Sequence, residues 1–124
     1  MTTQTILCID DDQTITQILE KTLNDHGYET ITADNGEDGL ALLEKSDVTA
    51  IILDIKMPGM NGNQVIGRIR THNDKTIKNI PIMMLTGENS ILDVSKSLEL
   101  GANDYMVKPF EPQLIISRLQ VLLN

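Results

Sequence analysis

Five short apolar runs alternate along the chain with five segments in which apolar residues recur at helical spacing. The runs are the candidate strands: Thr5–Asp10, Glu29–Ala33, Ala50–Asp54, Pro81–Thr86 and Asp104–Val107. The first, third and fourth are almost continuously apolar, which is typical of parallel strands covered by helices on both faces.

The intervening segments predict five helices. Their apolar positions are Ile15, Ile18, Leu19 and Leu23; Leu40 and Leu43; Val65, Ile66 and Ile69; Ile91, Val94 and Leu98; and Ile115, Leu119 and Leu122. Asn35 is a candidate N-cap, Gly27 and Gly101 are stop signals, and Pro112 marks a helix start. Strand and helix alternate five times, which with right-handed crossovers predicts a single α/β domain over residues 1–124, a parallel sheet with helices on both faces.

Polar side chains follow four of the five strands at the point where each strand ends. Asp10-Asp11-Asp12 follows the first run, Asp54 ends the third, Thr86 ends the fourth and Lys108 follows the fifth. Because ligands of such sheets bind beyond the carboxyl ends of the strands, these residues predict a site at one edge. Taken singly, an Asp after a strand is usually a turn former or a helix N-cap, and Asp12, directly before the first helix, fits that role.

The acidic residues predict a cation. If the first and third strands are neighbours they lie about 4.8 Å apart, and Asp10, Asp11 and Asp54 crowd into one pocket. Carboxylates that close repel one another, so they must take up protons or recruit a cation. Hard oxygen ligands with room for water suit Mg²⁺, and Lys108 and Thr86 would face anionic oxygens, which makes this a candidate metal–phosphate site.

Composition excludes several function classes. The net charge of −8 argues against direct binding of nucleic acid, which needs a basic surface. A single cysteine, Cys8, excludes an internal disulfide framework. We expect a cytoplasmic protein without a membrane partner, since no apolar stretch approaches the length of a span and the N-terminus lacks a signal pattern.

Four motifs in this order resemble a response-regulator receiver domain of two-component signalling, with a chemotaxis-regulator-like pattern over essentially the whole chain. They are ILCIDDD at residues 6–12, LDIKMPGMNG at 53–62, LTG at 85–87 and GANDYMVKPF at 101–110. The resemblance implies a flavodoxin-like doubly wound fold with strand order 2-1-3-4-5. It also implies a cis peptide between Lys108 and Pro109.

The resemblance also implies roles for single residues. Asp54 would be the phosphoacceptor, taking a phosphoryl group from a sensor histidine kinase or a histidine phosphotransfer protein. Mg²⁺, with Mn²⁺ as a substitute, would be held by Asp10, Asp11, Asp54 and the backbone carbonyl of Lys56. Lys108 and Thr86 would bind the phosphoryl oxygens. Only self-phosphorylation and autodephosphorylation are implied, without a separate substrate.

Signalling would follow from the same resemblance. Thr86 and Tyr105 stand at switch positions, and the altered face would comprise the fourth predicted helix, the fifth strand and the fifth predicted helix. Lys56 and Glu88 lie two residues beyond Asp54 and Thr86, at positions that tune phosphoryl lifetime. Our hypothesis is that they pair and lengthen it; otherwise they are two solvated charges.

The output and the oligomeric state stay open. Asn103 stands where many DNA-binding members carry an acidic residue of a dimer salt bridge, whereas Arg118 does resemble the basic partner of that bridge. A phosphorylation-dependent homodimer therefore remains an alternative, and the downstream target or effector domain is unknown.

Two other functions compete. Asp10-Asp11-Asp12-Gln13-Thr14 satisfies the D-x-D-x-T motif of haloacid-dehalogenase-like phosphatases, with Asp10 as nucleophile and Asp12 as general acid, but a late acidic pair for Mg²⁺ is missing and Asp54 is left unexplained. A docking-only pseudo-receiver would have lost Asp54, Lys108 or a metal carboxylate, and all are present.

Overall fold

The computed structural model describes residues 3–87 and 91–124, except for the side chain of Ile91. Within them one parallel sheet has the strand order β2-β1-β3-β4-β5. The strands are β1 (Thr5–Ile9), β2 (Glu29–Ala33), β3 (Ala50–Asp54), β4 (Ile82–Thr86) and β5 (Asp104–Val107). The helices are α1 (Gln13–Asp25), α2 (Gly36–Lys45), α3 (Gly62–Arg70), α4 (Lys75–Lys78), α5 (Ile91–Leu100) and α6 (Pro112–Leu123).

The predicted fold class is confirmed, with one correction: five helices were expected, and the described residues contain a sixth, α4. This single turn begins because the Asp74 side chain accepts hydrogen bonds from the backbone N–H groups of Thr76 and Ile77. Four residues are too few to show helical periodicity, so the pattern could not reveal it. Smaller differences are that β1 ends at Ile9 and β4 begins at Ile82.

The sheet buries its two faces in two separate apolar layers. On one face Leu7, Ile9, Leu53 and Met84 pack with α2 and α3, while on the other Cys8, Ile52, Met83 and Leu85 pack with α1 and α6. Alternate residues of each strand thus enter opposite layers, which is why β1, β3 and β4 read as continuous apolar runs.

Local signals fix the helix ends. Asn35 and Asn61 cap α2 and α3 through their side chains, and Asn61 and Gln64 form a reciprocal capping box. Gly27 and Gly101 follow α1 and α5 with φ values of 87° and 118°, a left-handed conformation that favours glycine. No helix of the described residues combines the length and the apolar character needed to cross a bilayer.

Candidate functional site

Three carboxylates meet at the carboxyl edge of the sheet. Strands β1 and β3 pair directly, so Asp10, which follows β1, comes beside Asp54, the last residue of β3. One carboxylate oxygen from each of Asp10, Asp11 and Asp54 lies within 4.8 Å of the others. Asp10 and Asp54 are buried, with 1% and 6% of their surface exposed, whereas Asp11 faces solvent. Of these three carboxylates, that of Asp11 is the one freely exposed to solvent.

Lys108 joins the two buried carboxylates. Its Nζ lies 2.9 Å from Asp10 Oδ2 and 3.2 Å from Asp54 Oδ1. The Lys108 backbone N–H donates to the carbonyl of Thr86 at 2.7 Å, and the Lys108–Pro109 peptide is cis, as the resemblance implied. The residue after β5 is thus tied to the end of β4, and its side chain reaches across to β1 and β3.

The pKa values of Asp54 and Lys108 are both raised, for different reasons. Burial and the neighbouring charge of Asp10 raise the pKa of Asp54 to about 6, and the ammonium of Lys108 offsets only part of that rise. Burial lowers the pKa of Lys108, but the hydrogen bond to Asp10 and the charges of both carboxylates outweigh it, so its pKa lies above the ordinary value. Lys108 is therefore a cation at neutral pH, while Asp54 is the group whose negative charge is costly.

Asp10 and Asp12 are held by the turn that leads into α1. The backbone N–H of Asp12 donates to Asp10 Oδ1 at 2.9 Å, and the backbone N–H of Thr14 donates to Asp12 Oδ1 at 2.9 Å. Asp12 is exposed and is the N-cap of α1. One carboxylate of the acidic run thus begins the helix, and the other two are left for the site.

The loop after Asp54 is folded tightly back on the strand. Gly59 takes a φ of 76°, and the Gly62 N–H donates to the carbonyl of Ile55 at 2.7 Å. A Cβ at Gly62 would collide with the Asp54 carbonyl oxygen and would come within 2.8 Å of Ile55 Cα. Gly62 therefore allows α3 to begin against the backbone of Asp54 itself. In the sequence Gly62 was noted only as part of the motif at 53–62, although its position directly after the N-cap Asn61 was a usable signal.

The remaining predicted site residues differ in their burial and in their contacts. Thr86 is buried, and its hydroxyl donates a long bond of 3.3 Å to the Gly87 carbonyl. Tyr105 has 39% of its surface exposed on β5. The Lys56 side chain is exposed. Glu88 lies outside the described residues, so its pairing with Lys56 stays a prediction.

The two residues considered for a dimer bridge have partners within the chain. Arg118 Nη1 donates to Asp104 Oδ1 at 2.8 Å and to the Tyr105 carbonyl at 3.0 Å. Asn103 Oδ1 accepts from the Ile82 N–H at 2.8 Å and from Arg70 at 3.0 Å. Asn103 thus joins β4 to the end of α3.

The donor set fits Mg²⁺. Carboxylate oxygens are the hard ligands that this ion prefers, and it needs only one or two of them because it keeps several waters. Asp11 faces solvent, so waters can enter beside it. Within the described residues, Asp10, Asp11 and Asp54 are the carboxylates that could hold the ion.

Comparison with known families and proteins gives one consistent result. Residues 6–120 match the model of the response regulator receiver domain family. "Probable transcriptional regulator ycf27" of Porphyra purpurea is 40% identical over 119 residues, which are 96% of this chain and 47% of that protein. "Transcriptional regulatory protein AfsQ1" of Streptomyces coelicolor is 39% identical over 96% of this chain and 51% of its own length. The chain thus spans about half the length of these relatives.

Solved structures agree. The chemotaxis response regulator CheY4 of Vibrio cholerae superposes with a TM-score of 0.90 at 36% identity, covering 98% of this chain and all of that one (100%). A CheY-like response regulator receiver domain protein of Methanospirillum hungatei gives a TM-score of 0.89 at 29% identity, covering 98% and 94%.

Proposed function

We propose, from the premise that the chain belongs to the response regulator receiver domain family, that Asp54 is the residue on which this receiver of two-component signalling is phosphorylated. The observation that carries the proposal is the convergence of Asp54 with Asp10, Asp11 and Lys108 at one sheet edge. An Oδ atom of Asp54 attacks the phosphorus of a phosphohistidine, the P–N bond breaks and the imidazole leaves with its electron pair. The product is an acyl phosphate on Asp54.

The chain's own residues position this transfer and balance its charge. Strand β3 and the tight loop to α3 fix the backbone of Asp54, so the nucleophile is held on a rigid element. Lys108, already 3.2 Å from Asp54 Oδ1, would follow the charge onto the phosphoryl oxygens. Mg²⁺ bound by Asp10, Asp11, Asp54 and the Lys56 carbonyl would neutralise charge on those oxygens. Mn²⁺ would serve as a substitute.

We propose further that phosphorylation is read out through Thr86 and Tyr105. Among the described residues, the Thr86 hydroxyl donates only one hydrogen bond, a long one to the Gly87 carbonyl, which it could exchange for a bond to a phosphoryl oxygen. Tyr105 and the exposed residues of α5 and α6 would then form the altered face. Lys56 and Glu88 remain our candidates for setting how long the phosphoryl group lasts.

The partners are proposed from the family. A sensor histidine kinase or a histidine phosphotransfer protein would supply the phosphoryl group, docking near Ile18 of α1 and the loop at Pro109. Residues 1–124 would act as a single receiver domain in the cytoplasm, where the thiol of Cys8 stays reduced.

The test is intact mass after incubation with acetyl phosphate and Mg²⁺. We expect one phosphoryl group on the wild type and none on Asp54→Asn or without a divalent cation. Asp12→Asn is the matched control, because asparagine also caps a helix and the exposed Asp12 should not be needed. An adduct that survives in Asp54→Asn but is lost in Asp10→Asn would favour the phosphatase mechanism and overturn the proposal.

A further inference from the structure

A groove of about 660 Å³ lies along the outer edge of the sheet, away from β5. One wall is a stripe of α1 that includes Gln13, Gln17 and Glu20, and the other is a stripe of α2 that includes Asp38 and Lys45. Residues spaced by three, four and seven positions share one face of a helix, so each wall is continuous. The floor is the end of β2, where Thr32 and Asp34 lie.

The floor is an open strand edge. β2 stands first in the strand order, and within the described residues its only strand partner is β1. The Glu29 N–H donates to Gln4, and the Ala33 carbonyl accepts from Asp10, so odd-numbered residues of β2 turn their backbone groups toward β1. In a parallel ladder the alternate residues point the other way. The N–H and C=O groups of Thr30 and Thr32 therefore face outward.

The sequence of β2 lacks the features that usually prevent an edge strand from pairing with a further strand. Natural edge strands are commonly protected by lysine, by proline or by a bulge. The sequence ETITA of β2 contains no lysine and no proline, and β2 pairs with β1 in unbroken register, without a bulge. Threonine at the two outward positions is a favourable strand former. The edge can therefore accept another strand without local rearrangement.

The carboxylates that line the groove favour the binding of a basic strand. Glu20 lies on the α1 wall, Asp38 on the α2 wall and Asp34 at the end of the floor, and within the described residues none of the three has an ion-pair partner. In the part of the chain that the structure describes, the carboxylates of Asp34 and Asp38 accept hydrogen bonds only from the neutral amide of Asn35. Among the described residues that line the groove, Lys45 is the one cation. Asp10, which also lines it, is already paired with Lys108. A second copy of this edge would bring like charges together, which disfavours self-pairing.

We propose that the β2 edge binds an extended, basic segment of a partner protein as an added sixth strand. Backbone groups of the segment would pair with Thr30 and Thr32. Its alternate side chains would point to the two walls, where cationic residues meet Glu20 on one side and Asp38 on the other. The proposal is independent of phosphorylation at Asp54, because it uses none of the proposed phosphoryl ligands.

The test uses a short blocked peptide that repeats the sequence Lys-Lys-Val-Val, so that both faces of the strand carry lysine. The same peptide with glutamate in place of lysine is its control. Binding is followed by amide chemical shifts of the isotope-labelled chain and by fluorescence anisotropy of the labelled peptide. We expect the lysine peptide to shift the amides of β2 and of both walls, and to bind about tenfold or more tightly than the glutamate peptide.

Two modifications separate strand pairing from simple charge attraction. Thr32→Pro removes only an outward N–H, a placement that edge strands tolerate, and should weaken binding about tenfold, while Thr32→Val should retain it. If Thr32→Pro does not fold, methylating alternate backbone nitrogens of the peptide tests the same bonds on the unaltered chain. Glu20→Gln with Asp38→Asn should weaken binding and flatten its salt dependence.

Three outcomes would overturn the proposal. The first is equal binding of the methylated and unmethylated lysine peptides, which would indicate attraction without pairing. The second is chemical shifts confined to other surfaces, or no binding of the lysine peptide at all. The third is a dimer of the free chain, in sedimentation, that Thr32→Pro abolishes, because the edge would then be occupied by a second copy.

Discussion

Replacing Asp54 by asparagine should stabilise the protein in the absence of divalent cations at neutral pH. The folded chain holds this carboxylate beside Asp10 in a buried position, which raises its pKa from 3.8 to about 6. A rise of about 2 pKa units corresponds to about 3 kcal/mol at about 1.4 kcal/mol per unit, which is the cost of keeping Asp54 ionised in the folded state. Asparagine has nearly the same shape as the protonated acid and avoids that cost.

The sign follows from proton binding. Between pH 3.8 and about 6 the folded state holds the Asp54 proton more tightly than the unfolded state, so the stability contributed by this group is present below pH 3.8 and falls as pH rises through 6. The advantage of Asp54→Asn should therefore be small near pH 4, grow to about 3 kcal/mol and level off above pH 7.

Urea unfolding across this pH range in the presence of a chelator measures the difference. Asp12→Asn is the control, since its side chain is exposed and asparagine preserves the cap. Added Mg²⁺ should narrow the gap, because an ionised Asp54 then becomes a ligand. A difference between wild type and Asp54→Asn that does not change with pH, or a destabilised variant at pH 7.5, would refute the reasoning.

Three further predictions concern the frame around the site, each measured by urea unfolding. Gly62→Ala should lower the free energy of unfolding by about 2 kcal/mol or more, because the new Cβ would collide with backbone atoms. Gly67→Ala on the same helix places its Cβ where nothing lies within 4 Å, so it should raise the free energy of unfolding by about 0.5–1 kcal/mol. Equal effects of the two substitutions would contradict this reasoning. Ser97→Ala should cost about 1 kcal/mol, since its buried hydroxyl joins α5 to α3 through a 2.6 Å bond, while the exposed Ser95→Ala should change stability by less than about 0.5 kcal/mol. Arg70→Lys should lower the free energy of unfolding by about 1–3 kcal/mol, because lysine cannot reproduce the forked hydrogen bonds of the guanidinium to the carbonyls of residues 78 and 101. An unchanged midpoint of urea unfolding would show that those bonds contribute nothing measurable.

The sheet was predictable because burial on both faces leaves a direct trace in the sequence. Each of β1, β3 and β4 is a continuous apolar run, and the residues that follow them carry the polar groups of the site. The strand order was not predictable from these patterns, because nothing local states which strands are neighbours; it came from the family resemblance. The crowding of Asp10 and Asp54 depends on that order alone.

Other features depend on contacts between distant parts of the chain. The bond from Lys108 to Asp10 joins residues 98 positions apart, and sequence reasoning assigned this lysine only to phosphoryl oxygens. The acidic groove along β2 was also missed, because its walls come from helices on opposite faces of the sheet. Side chains such as Glu20 and Asp38 read in sequence as ordinary solvated charges, and only the fold shows that they flank one open strand edge.

If Asp54 is phosphorylated as we propose, the charge of the cluster would suit Thr86 and Lys108 to detect the phosphoryl group. Converting the Asp54 carboxylate, with one negative charge, into an acyl phosphate of about two negative charges makes the cluster more negative by about one charge. That charge arises at a largely buried position, where unpaired oxygens are costly. Lys108 already contacts Asp54 and can follow the charge, but one ammonium cannot satisfy every new oxygen while it also holds Asp10. The Thr86 hydroxyl is the nearby donor whose present bond, 3.3 Å to Gly87, is cheap to give up. On this proposal, a shift of the β4 end toward Asp54 would be the least costly response to the new charge.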